Sequence, residues 1–85
     1  MPAPLVFELD DPARDEKERD VRAMSDDDLL ALYNATRAAA HLARTNADLE
    51  TLYPLARGMK TIQRIAGERG LIIRARRLGP KPSNI

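Results

Sequence analysis

The feature that most constrains this chain is Ser25-Asp26-Asp27-Asp28, followed by a Leu/Ala-rich run that reaches Thr45. A serine ahead of the first turn offers its hydroxyl to an otherwise unbonded backbone N–H. Three aspartates in that turn complement the positive end of the helix dipole. Behind them Leu29, Tyr33, Thr36, Ala40 and Ala43 recur at helical spacing, flanked by Leu32, Ala35, Ala39 and Leu42. That pattern predicts a helix over 26–45 with one apolar face. The small residues at Ala38-Ala39-Ala40 allow another helix to come close.

A second apolar stripe follows in Leu55, Met59, Ile62 and Ala66, joined by Ile65. Leu49, Leu52 and Tyr53 lead into it, and Pro54 interrupts. Either a short helix at 47–53 gives way to a second at 54–69, or one kinked helix runs through. Asn46 is suited to end the preceding helix and cap the next. Gly70 is a natural helix stop, with Leu71 as the contact that follows it. Upstream, Asp11-Pro12 reads as a helix start, and residues 12–24 as a polar helix supported by pairs such as Asp15–Arg19 and Glu18–Arg22.

The ends read differently. Leu5, Phe7 and Leu9 alternate at period two, which describes an extended arm or short strand over 1–11. Leu71-Ile72-Ile73-Arg74-Ala75-Arg76-Arg77-Leu78 is β-branched and partly alternating, and Gly79-Pro80-Lys81-Pro82 stops it. The expected architecture is mainly α: a small helical hairpin or bundle over 12–70, an extended arm over 1–11, and a basic strand or arm over 71–85. A version with short terminal strands sets the arm beside 71–78.

With 85 residues and no cysteine, the chain has neither disulfides nor a cysteine-type zinc site. Alanine supplies 13 of its apolar positions, and only Phe7, Tyr33 and Tyr53 are aromatic. A chain this short buries roughly 60% of its unfolded surface, so self-association or a partner is expected to complete it. The stripe Leu55, Met59, Ile62 and Ala66 is the expected protein interface. No apolar run is long enough to cross a membrane, and the N-terminus lacks the basic flank and apolar stretch of a signal peptide. The expected location is cytoplasmic, or inside a virion or similar assembly.

Charge is strongly polarised. Residues 1–28 carry ten acids against four bases; residues 57–85 carry eight bases against Glu68 alone. The overall charge is nonetheless only +1. Two readings follow. The basic end (Arg57, Lys60, Arg64, Arg69, Arg74, Arg76 and Arg77) meets nucleic acid, or the acidic half neutralises it within or between chains. The near-balance favours neutralisation.

Thr61-Ile62-Gln63-Arg64-Ile65-Ala66-Gly67-Glu68-Arg69-Gly70-Leu71 resembles the first half of a helix-turn-helix, with Ile-Ala, three residues, then Gly-Leu at the turn. That resemblance implies a following helix in the major groove. The continuation departs from it: Ile72-Ile73 stand where a Ser/Thr cap belongs, and Gly79-Pro80 ends the segment early.

Catalytic chemistry has little to draw on. Ser25 is committed to a cap, His41 has no partner of its kind, and the four glycines form no phosphate loop. No cofactor or metal is expected. The expected function is that of a non-enzymatic interaction or assembly protein, such as a component of a phage or bacterial complex. The alternatives are a small nucleic-acid-binding regulator using the basic third, and a phage-encoded inhibitor of a host protein.

Overall fold

The computed structural model describes residues 3–73. Three helices make up its regular structure: α1 (Arg14–Arg22), α2 (Asp26–Thr45) and α3 (Leu49–Glu68). α2 and α3 form the antiparallel hairpin, and α1 packs mainly on α3. The small helical bundle expected from the sequence is the fold.

α2 starts where the cap places it. The Ser25 hydroxyl accepts the Asp28 N–H at 3.1 Å, with Asp26, Asp27 and Asp28 in the first turn. Asn46 ends the helix as its C-cap, as the sequence suggests, but keeps ordinary backbone angles, and Ala47 takes the left-handed conformation with φ 56°. The Asp48 N–H then donates to Ala43 O at 2.8 Å and the Ala47 N–H to Arg44 O at 3.0 Å. Two carbonyls orphaned by the helix end are satisfied this way. Asp48, not Asn46, caps α3, accepting the Thr51 N–H at 3.2 Å.

α3 resolves the ambiguity at Pro54 as a single helix running through it. Pro54 lies beyond the first turn, so α3 runs through it without the bond its N–H would have given to Glu50 O. At the other end Gly70 has φ 78°, and the Leu71 and Gly70 N–H groups bond to Ala66 O and Gly67 O. The glycine stop read from the sequence is therefore present, with the two bonds that define it.

α1 is shorter than the 12–24 span predicted. The Asp11 carboxylate accepts the N–H groups of Glu8 and Ala13, which folds 8–13 into a turn. Regular helix begins only at Arg14.

The core has two parts. Val21, Leu29, Leu32, Tyr33, Ile62, Ile65 and Ala66 form the larger cluster, with Leu5, Met24, Leu71 and Ile73 packed on its edge. Ala40, Ala43 and Leu55 form a smaller one toward the hairpin end, flanked by Ala39 and Leu52. Met59 touches both.

The arm is extended but is not a strand, and no strand occurs among the described residues. Leu5 packs on the larger cluster and Phe7 is fully buried, whereas Leu9 is exposed because the chain turns there. The Leu5 N–H donates to Thr36 Oγ1, and the Phe7 N–H to Pro54 O. The arm thus crosses the hairpin, and its partners are helical. Of the segment once matched with it, 74–78 lies outside the described residues.

Candidate functional site

The predicted interface is the core itself. Leu55, Ile62 and Ala66 are buried, and Met59 is half-buried between the two clusters. The stripe looked available because the sequence names no partner for it. Its partner is the apolar stripe of α2, which faces it in the hairpin.

Three of the four described residues of the predicted basic surface are engaged within the chain. Arg64 Nη2 reaches Glu18 Oε2 at 3.0 Å, and Arg22 forks onto Glu68 with contacts of 3.2–3.3 Å. Arg64 also lies 3.5 Å from Glu68, so α1 and α3 share an alternating network of two acids and two arginines. Arg69 Nη1 pairs with Asp26 at 3.0 Å and donates to Met24 O, while its Nη2 donates to Arg22 O. One guanidinium thereby ties the end of α3 to the α1–α2 connection. Arg57 donates to Phe7 O at 3.0 Å. Lys60 is exposed and has no ion pair among the described residues. Arg74, Arg76 and Arg77 lie outside the described residues. Two acids of residues 1–28, Glu18 and Asp26, thus meet Arg64 and Arg69 of the basic third. Most of these pairs are exposed and individually weak; their value is in orienting α1.

The segment resembling half of a helix-turn-helix is the last two turns of α3 and its stop. Residues 71–73 leave that stop without entering a helix.

The apolar residues left most uncovered are a different set: Leu9 and Ile72 outside the helices, and three within them. Leu42 is 62% exposed on α2, and Leu49 and Tyr53 are 51% and 54% exposed on α3. All three belong to the turns that flank the hairpin end. Leu49 and Tyr53 stand four residues apart and share one face of α3. That face points away from α2, because Leu55 and Ile62 occupy the opposite side of the helix. In the sequence Leu49 and Tyr53 read as a continuation of the apolar stripe. A helical projection from Ile62 would have separated them from it.

Among the described residues, no group of three or more His, Cys, Asp or Glu side chains gathers as a metal-holding set. None of the helices is long and apolar enough to cross a membrane. The Asp11 carboxylate is held well below its ordinary range, at about 2, chiefly by its hydrogen bond from Lys17 and then by the N–H groups of Ala13 and Glu8. It is a turn clasp, 2.7 Å from Lys17 Nζ.

Comparison with protein-family models, curated proteins and solved structures finds no match to this chain.

Proposed function

We propose that this chain is a protein-interaction or assembly module that docks through the end of its helical hairpin, with Leu49 and Tyr53 as anchors. The observation that carries the reading is the exposure of Leu49 and Tyr53 on one face of a regular helix, whereas the more exposed Leu9 and Ile72 lie outside the helices. An aromatic ring with a polar tip, next to a leucine on one rigid helical face, is the kind of anchor that dominates protein interfaces. The internal use of Arg57, Arg64 and Arg69 weighs against a nucleic-acid surface on the described part of the molecule.

The test compares the intact chain with Tyr53→Ala and with Leu49→Ser. Proteins retained from cell extract by the intact chain are purified and titrated against each variant. Tyr53→Ala is expected to weaken binding by about 30-fold, the equivalent of roughly 2 kcal/mol, with helical content unchanged. The reading fails if binding is indifferent to both substitutions. It also fails if the intact chain instead binds duplex DNA with the steep salt dependence of phosphate contacts.

A further inference from the structure

Residues 5–7 are held the way a bound peptide is held. The Leu5 N–H donates to Thr36 Oγ1 at 2.9 Å, and the Phe7 N–H to Pro54 O at 3.2 Å. Phe7 O accepts from Arg57 at 3.0 Å, and Val6 O accepts from Lys17 Nζ at 2.8 Å. Thr36 is fully buried and completes its own bonding by donating to Leu32 O at 2.8 Å. The Phe7 ring is sealed from solvent, with the cations of Arg14 and Lys17 at 5.4 and 5.3 Å from its centre.

The floor beneath this segment is shaped for backbone. A Cβ on Gly58 would stand 2.0 Å from Leu5 O and 2.7 Å from Leu5 C. Neither atom can move aside as a side-chain tip would. Position 58 therefore admits the arm only because it carries no side chain. The hairpin contributes a bare backbone, a buried hydroxyl, a free carbonyl lone pair and a guanidinium, all turned toward one extended tripeptide.

We propose that the seam between α2 and α3 is a receptor for an extended Leu-x-Phe segment, and that it accepts this segment from a second copy of the chain. The two copies then exchange arms. The inference stands on residues other than those of the hairpin end and does not depend on them. The occupant follows from the contacts: a second copy's arm is the same sequence and would make the same bonds. Only the path of the connecting turn at 8–11 would change, which is the requirement for exchange of an identical element. Within one chain the short connection keeps the arm at an effective concentration on the order of millimolar. Exchange therefore takes over when an arm cannot serve its own seam, or when the chain is very concentrated.

The test uses two full-length variants. Phe7→Ala disables the arm and keeps the seam; Thr36→Val with Arg57→Met disables the seam and keeps the arm. Each alone is expected to remain monomeric by light scattering. Mixed, they are expected to give a one-to-one complex, which disappears when both chains carry Phe7→Ala. A labelled peptide of residues 1–11 is expected to bind the Phe7→Ala chain saturably, and about 100-fold more weakly when the peptide itself has alanine for Phe7. If the seam variant does not fold, the peptide titration decides alone, and Phe7→Leu replaces Phe7→Ala if that chain is unfolded. Folded chains that stay monomeric on mixing and bind no peptide overturn the proposal.

Discussion

The two ends of the hairpin are built on different principles. At the base, three helices meet over a cluster that includes Leu29, Leu32, Tyr33, Ile62 and Ile65, and Arg69 ties the chain crossing above it. At the tip, two helices meet over Ala40, Ala43 and Leu55, flanked by Ala39, Leu52 and Met59. Alanine brings the helix axes close but buries little area per residue. Stability from apolar burial scales with that area. The base therefore holds the fold, and the tip is positioned by it. At the tip, Leu49 and Tyr53 stay outside because they lie on the side of α3 opposite Leu55 and Ile62.

The comparison can be broken most directly with buried charge. Ile62→Asp places an unpaired carboxylate in the fully buried centre of the base, and the chain is expected to lose its cooperative transition, read by circular dichroism on heating. Retention of a sharp transition would mean that the base does not hold the molecule. Truncation sharpens it next. Leu29→Ala is expected to cost about 3–4 kcal/mol in urea denaturation and Leu55→Ala about 2 kcal/mol, since the tip has fewer neighbours to lose. Equal costs would remove the distinction between the two clusters.

Smaller effects separate the helix ends. Ser25→Ala at the base is expected to cost about 1 kcal/mol through loss of the bond to the Asp28 N–H. Ala47→Gly at the tip is expected to stabilise by up to about 1 kcal/mol, because Ala47 carries a Cβ in the left-handed region. Thermal melts of the two variants should move in opposite directions.

The clasp at Asp11 provides a pH test. Its carboxyl titrates near 3.8 in an unfolded chain and at about 2 in the folded one. The folded state therefore binds fewer protons between these values. The contribution is complete above about pH 4 and is lost as the pH falls toward 2. Asp11→Asn is expected to flatten the loss of stability over that interval, measured by melts at pH 5, 3.5 and 2.5. An unchanged slope would show that Asp11 is not clasped.

How far the sequence could be read follows the same division. α2 was legible to the residue because its signals are local: a hydroxyl, three carboxylates and a periodic stripe. The stop at Gly70 was legible for the same reason. The start of α3 was not, because an alanine took the left-handed position that asparagine or glycine usually fills. The facing stripes and their pairing in a hairpin were both legible, but not that the pairing uses up Leu55, Ile62 and Ala66. A stripe alone does not say whether it meets its own chain or another. The arm was legible as extended, and of the two readings, arm or short strand, the structure shows the arm. Its real partner depends on Gly58 and Thr36, which become neighbours only after the hairpin has formed. The pairing of acidic and basic ends was one of two readings of the same charges. For Arg64 and Arg69 the geometry of α1 against α3 selects it.

The two glycines inside α3 also imply different histories for their positions. At Gly67 an added Cβ meets nothing within 4 Å, so alanine there is expected to raise helix stability by about 1 kcal/mol. At Gly58 the same methyl group would evict the arm. Drift in a descending lineage should therefore run freely through codon 67 and stop at codon 58. A chain that had lost the arm would reveal it by a side chain at 58, well before any change in the helices themselves.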